Sequence, residues 1–248
     1  MPTDKPAVPS VWARQRHKRE QPPLSQDRIV AEAVRLLDEE GIEALSMRSL
    51  GNRLGAGATS LYRHVANKDE LIELVVDEVY GELEVPEPGG SEAPDGWRES
   101  VAASAGGLRA MILRHPWVAS VLGQVGLARL GPNLTRQSER MLALFHRAGF
   151  PSDEADRAMN TVIAYVVGMT VSEAAYLSML ARSGQSEQEL MEGLRRVAEE
   201  TVRDLPLLRE GYERRGGEDP SRLRDESFAY GLERFLDGLQ ARLESLGS

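Results

Sequence analysis

The chain has 248 residues, 41% of them hydrophobic, no cysteine and a formal net charge of −9. Its length admits one large domain or two smaller ones, and its composition is that of a globular chain rather than a disordered one. The missing cysteines exclude disulfides, thiolate metal sites and cysteine nucleophiles, and fit a reducing cytoplasm.

Residues 1–24 are polar and proline-punctuated and read as a flexible arm, with a basic cluster of Arg14, Arg16, His17, Lys18 and Arg19. Such a cluster either touches DNA or serves as a solubilising tail. No apolar core follows its charges, so no signal peptide is expected. Residues 25–84 hold four short helices. Ser25 caps the first, Asp27 lies in its first turn, Ile29, Ala33, Leu36 and Leu37 repeat at helical spacing, and Gly41 stops it. Ser46 caps the second, which carries Met47, Leu50 and Leu54 and ends at Gly55. A third opens at Ala58 or Thr59 and carries Leu61, Tyr62 and Val65. Asn67 with Glu70 forms a capping box for the fourth, with Leu71, Leu74, Val75 and Val79 inward.

Proline and glycine dominate residues 85–96 and separate this unit from a second, residues 97–248. There Trp97, Val101, Leu108 and Ile112 form a stripe halted by His115-Pro116, and Leu134, Met141, Leu142 and Phe145 form another closed by Gly149. After Ser152 a helix of up to about thirty residues carries Ala155, Met159, Val162, Ile163, Val166 and Thr170. Its apolar stretch, 158–181, is interrupted by Asn160, Thr161, Ser172 and Glu173, so it reads as a buried helix and no membrane partner is expected. Ser186 with Glu189 caps the next helix, which ends before Pro206; residues 209–221 read as a loop. The last helix sets Phe228, Leu232, Phe235, Leu239, Leu243 and Leu246 at steps of three and four. No strand pattern competes, so the fold class is all-α.

The informative stretch is Leu45 to Lys68, a capped helix, a glycine turn and a short second helix: a helix-turn-helix, in which the second helix enters the major groove of double-stranded DNA. Thr59 and Ser60 offer hydroxyls to a base or phosphate, and Arg63 either neutralises a phosphate or reads guanine. Residues 1–65 hold ten Lys/Arg against eight Asp/Glu, the remainder twenty against thirty-one, so a mildly basic head precedes an acidic body.

The runs Ser60-Leu61-Tyr62-Arg63-His64-Val65 and Asn67-Lys68-Asp69-Glu70-Leu71, preceded by Gly41 to Arg48, resemble the tetracycline-repressor family of transcription regulators. The resemblance implies phosphate contacts for Tyr62, His64 and Lys68, a base or phosphate contact for Arg48, and a base-facing place for Ser60. Met47 stands where relatives often carry threonine. Tyr230 to Leu239, Asp95-Gly96-Trp97 and the His115-Pro116 break resemble the family's C-terminal domain, in which the eighth and last helices pair with their mates in a homodimer.

A helical domain of this size encloses small-molecule pockets between helices. Trp117, Met141, Phe145, Tyr165, Met169 and Tyr176 are candidate lining residues, each with ordinary core as its alternative. Glu173 and His146 are polar groups on apolar faces that either anchor a ligand, reach solvent or form a salt bridge. Family members that bind tetracycline hold a magnesium chelate through a histidine near the sixth helix; Ala119 to Gly123 here has none, so neither tetracycline nor a metal is expected. No catalytic constellation and no cofactor motif is present. The expected function is a cytoplasmic repressor that binds a palindromic operator as a homodimer and releases it on binding a small-molecule effector. A helical sensor or adaptor without DNA binding is the alternative.

Overall fold

Short polar side chains and glycines set the ends of the first helices, because each terminus leaves backbone groups that only a cap or a left-handed turn satisfies. The computed structural model describes residues 23–86, 96–122, 131–215 and 217–247. The basic arm and most of the proline-glycine linker lie outside the described residues. Ser25 Oγ accepts from Arg28 N at 3.2 Å to open α1 (Gln26–Glu40), and Gly41, at φ +80°, ends it by donating to Leu37 O at 2.9 Å. After a 3-10 turn at Ile42–Ala44, Ser46 and Ser49 cap each other reciprocally at the start of α2 (Met47–Leu54). Helix α3 (Ala58–Leu61) has four residues, and Tyr62 to His64 continue it as turns. Asn67 accepts from Glu70 N at 2.8 Å to open α4 (Lys68–Tyr80), while Glu70 reaches back to Ala66 N.

The remaining helices are α5 (Gly96–Arg114), α6 (Trp117–Leu122), α7 (Pro132–Ala148), α8 (Ser152–Ser183), α9 (Glu187–Thr201), α10 (Pro206–Arg215) and α11 (Pro220–Leu246). Among the described residues there is no strand, as the periodicity predicts. Helix α1 packs on α2 and α4, α4 reaches α7, and α5, α7 and α11 pack on α8. Trp97, Phe145 and Phe150 form the centre of the second unit, their rings 5.6–5.9 Å apart.

Three expectations change. Residues 209–215 belong to α10, not to a loop: Pro206 suits a first helical turn, and Arg209–Glu213 and Glu210–Arg214 pair one turn apart. Ser152 is the first helical residue and forms no side-chain cap; Pro151 precedes it. The stretch read as a buried helix is only partly so. Helix α8 is long and apolar enough to cross a membrane by length and composition alone, yet less than a quarter of its apolar window is buried within the chain. Ala155, Ala158, Met159, Val162, Val166, Thr170 and Ala174 form its buried stripe, while Met169, Val171 and Met179 on α8, with Tyr230 and Phe235 on α11, face outward.

Phe145 is fully buried between two aromatic neighbours. Phe145→Ala is expected to cost about 3–5 kcal/mol of stability, read as a lowered midpoint in thermal or urea unfolding.

Candidate nucleic-acid interface

The recognition unit depends on a close backbone approach. Gly55, at φ +64°, turns the chain out of α2, and Ala56 N donates to Gly51 O at 2.9 Å, folding the turn back onto the helix. A Cβ on Gly51 would sit 2.8 Å from Ala56 O and 3.4 Å from Ala58 N, so only glycine fits where the turn and α3 cross α2. The GxxxG spacing of Gly51 and Gly55 carries no signal as a membrane motif, but both glycines are needed for this turn.

Leu61 and Val65 point into the core beneath α2 and α4. The residues between and around them face solvent. Arg48, Thr59, Tyr62, Arg63 and Lys68 are exposed, and Ser60 and His64 half-buried. The His64 carbonyl accepts from Gln26 Nε2 at 3.3 Å, which ties the end of the α3 turns to the start of α1. Arg48, Arg63 and Lys68 form no ion pair among the described residues, leaving their charges available. Lys68 is also the first residue of α4, where backbone N–H groups and the helix dipole favour an anion. Met47 is buried, so the position where relatives carry threonine serves the core.

Residues 25–84 hold six Lys/Arg against thirteen Asp/Glu, a balance of −7, which disfavours a polyanion unless the acids lie elsewhere. Many do. Arg53 gathers Glu32 at 2.9 Å, Glu39 at 2.6 Å and Glu40 at 3.0 Å, tying α2 to α1. The Glu39 carboxylate, then Glu32, hold its guanidinium above the ordinary arginine range. Asp38 Oδ1 lies 2.7 Å from His115 Nδ1 and accepts from Trp117 Nε1 at 2.8 Å. Glu82 meets Arg114 and lies 3.2 Å from His115 Nε2. Asp77 caps α7 from outside, accepting from Asn133 N at 2.9 Å and Leu134 N at 3.0 Å, and Gly131 is required there because a Cβ would collide with Asp77. Gln137 Nε2 donates to Leu83 O at 2.7 Å. These contacts form a polar joint between the two units.

The predicted lining residues do not converge. Trp117 belongs to the joint and Phe145 to the aromatic core. Met141 is half-buried on α7, and Met169 is exposed. Tyr165 donates to Phe228 O at 2.8 Å and meets the Phe235 ring, tilted, at 4.9 Å, on the α8–α11 face; burial raises its hydroxyl above the ordinary range. His146 reaches solvent. Only Glu173 and Tyr176 share a neighbour, Arg224. Glu173 takes a bidentate pair from Arg109, both at 2.8 Å, with Arg224 Nε at 3.3 Å, so the salt-bridge reading of Glu173 holds. That bond to Glu173, set against burial, raises the Arg109 guanidinium. Arg109 lies over the Phe228 ring at 4.8 Å and Arg224 over Tyr176 at 5.6 Å. Tyr176 Oη and Arg224 Nε are buried without a partner at hydrogen-bonding geometry. Burial, then the neighbouring Glu187, push the Tyr176 hydroxyl up. A surface hollow beside Gln185, Gln188, Glu189 and Glu192 touches none of these residues. Among the described residues no group of three His, Asp or Glu side chains could hold a metal. Sequence reasoning missed Gly51, Arg53, Asp38, Asp77, Arg109 and Arg224. Arg109, a charge on the otherwise apolar face of α5, is the one with a readable signal.

A capped helix, a glycine turn, an exposed cationic and hydroxyl-bearing surface, and a larger helical domain joined to it define a helix-turn-helix transcription regulator. The chain belongs to the TetR family. Residues 29–75 match the family model for bacterial regulatory proteins of the tetR family, and residues 89–243 match the tetracyclin repressor-like C-terminal domain. The family's members are regulators, not enzymes. An HTH-type transcriptional regulator from Saccharopolyspora erythraea is 39% identical over 70% of this chain and 72% of its own. The HTH-type transcriptional repressor DrrR1 of Streptomyces coeruleorubidus is 34% identical over 88% and 78%. The crystal structure of apo ActR from Streptomyces coelicolor superposes with a TM-score of 0.73, 31% identity, and coverage of 91% of this chain and 99% of that one. The same protein in complex with actinorhodin gives 0.71, 33%, 90% and 99%.

Gly51→Ala is expected to force the turn off α2 and cost about 1–3 kcal/mol. Thermal unfolding should show the loss, and amide exchange should place it in α2 and α3.

Proposed function

We propose that the protein is a homodimeric repressor that holds a palindromic operator and releases it when a small molecule binds the C-terminal domain. The observation that carries this reading is the recognition surface. Arg48, Thr59, Ser60, Tyr62, Arg63, His64 and Lys68 sit exposed or half-exposed on one folded unit in which Glu32, Glu39, Glu40, Asp38, Asp77 and Glu82 are engaged by other groups. In this reading Tyr62, His64, Lys68 and Arg48 hold phosphates, while Thr59, Ser60 and Arg63 meet base edges. Two such units must lie about one DNA turn apart, ~34–36 Å or a multiple, and the outward apolar faces of α8 and α11 bring the two chains together. The relative named a repressor supports the sign of regulation, and a cytoplasmic location follows from the DNA target.

The reading puts the effector beside Tyr176, Glu173, Arg109 and Arg224, between α5, α8 and α11, where the Tyr176 hydroxyl and Arg224 Nε are buried and make no well-formed hydrogen bond. A ligand that offers them better hydrogen-bond geometry gains what the free protein forgoes. The structure of a relative holding actinorhodin supports a small-molecule response. Binding there would press on α5 and, through the polar joint, on α1 and α4.

Selection from a random duplex pool tests the reading: enrichment of a palindrome is expected, and a folded protein that enriches nothing would favour the sensor or adaptor. Against the selected operator, Lys68→Ala should weaken binding to all sequences alike and lower the salt slope by about 1, as loss of one phosphate contact does. A changed sequence preference would reassign that residue. With an effector found by screening, Tyr176→Phe should raise the concentration needed for release while leaving operator affinity unchanged.

A further inference from the structure

Leu24 packs against the hydrophobic core and fixes the point from which the chain runs back toward its first residues. Two residues on, Gln26 Nε2 donates to the His64 carbonyl at 3.3 Å, so that point lies at the edge of the recognition surface, beside the end of the α3 turns. The basic cluster of Arg14, Arg16, His17, Lys18 and Arg19 lies outside the described residues, but its tether to this point is short. Arg19 precedes Leu24 by five residues and Arg14 by ten. That length of chain extends to at most about 18 Å and about 36 Å. The minor groove beside a filled major groove is half a DNA turn away, about 17 Å along the axis. The cluster is therefore within reach of it.

Charge separates a DNA contact from a solubilising tail. Residues 1–24 hold five Lys/Arg against two Asp/Glu, and residues 25–248 hold twenty-five against thirty-seven, so an arm of +3 precedes a body of −12. A tail that served solubility would add to the net charge of this chain, whereas this one reduces it. The recognition unit is itself short of cations. Arg35 and Arg53 are held by acids, which leaves the α2–α3 surface chiefly Arg48, Arg63 and Lys68 for phosphates. Arginine supplies three of the four Lys/Arg in the cluster. Its planar, weakly hydrated guanidinium suits the narrow, strongly negative minor groove of A·T tracts.

From the position of this root and the segregation of charge we infer that residues 14–19 of each protomer form a second DNA contact, an arm that enters the minor groove beside the half-site and favours A·T pairs there. The inference rests on operator binding by the α2–α3 surface, and extends it to base pairs that α3 does not face. The recognition helix sets the core of the operator. The arm adds affinity, salt dependence and a preference at pairs about 5 base pairs from the centre of each half-site.

The test uses the full-length chain and the operator it selects from a random duplex pool. Arg14→Ala, Arg16→Ala, Lys18→Ala and Arg19→Ala are combined, with an unchanged unfolding midpoint as the control for folding. This variant should select the same palindrome core and bind it at least about tenfold more weakly at about 0.1 M salt. Its slope of log affinity against log salt should fall by about 2 to 7, at ~0.9 per lost contact over two arms. A charge-conserving variant, Arg14→Lys with Arg16→Lys and Arg19→Lys, should keep most of the slope and lose the flanking preference. That preference is read by replacing the flanking A·T pairs with G·C. Unchanged or tighter binding by the alanine variant, or wild-type affinity indifferent to the flanking pairs, would overturn the inference. A chain that selects no palindrome would sink the regulator reading and this inference together, whereas a palindrome held equally well without the arm's charges sinks this inference alone.

Discussion

Repulsion between carboxylates and phosphates is the constraint around which this molecule is arranged. A recognition unit with seven more acids than bases approaches DNA only if its negative charge is turned aside. The chain does this by giving the acids other work. Glu32, Glu39 and Glu40 clamp α2 to α1 through Arg53, Asp77 caps a helix of the other unit, and Asp38 and Glu82 flank a buried histidine. What remains on the α2–α3 surface is cationic and hydroxylic.

The same solution ties recognition to the rest of the chain. Three of these carboxylates, Asp38, Asp77 and Glu82, are the ones that reach the second unit, so for them charge segregation and interdomain contact are one arrangement. Helix α6 is tied to α1 through Asp38, and α7 to α4 through Asp77. The recognition helix is tied in turn, α3 to α2 by the Gly51 approach and to α1 by the Gln26–His64 contact.

Local signals made the recognition unit legible. Serine and asparagine caps, glycine stops and hydrophobic periodicity each depend on residues a few positions apart, and of the residues named from the motif the fold exposes Arg48, Thr59, Tyr62, Arg63 and Lys68 and half-buries Ser60 and His64. The joint was not legible, because Asp38 and Trp117 are 79 residues apart and nothing local marks an aspartate as the partner of an indole. Helix α10 was hidden by the glycines and charges around it, although its pairs at i,i+4 were on view. The lining residues were chosen by size and apolarity, which do not separate a pocket from a core: Phe145 became core, Trp117 a joint, and Met169 an outer face. Glu173 was found because a carboxylate on an apolar helix face demands a partner, and Arg109 is that partner.

The outward apolar stripe of α8 has a consequence for regulation in the cell. Where a second copy covers the apolar window that the longest helix leaves uncovered, the stability of the assembled form depends on the chain's own concentration. At low copy number isolated protomers would then be the less protected form, and at higher copy number the assembled pair the more persistent one. Occupancy of a target promoter would then rise more steeply than the number of chains made. A switch of this kind has a sharp onset built into its assembly, before any effector arrives.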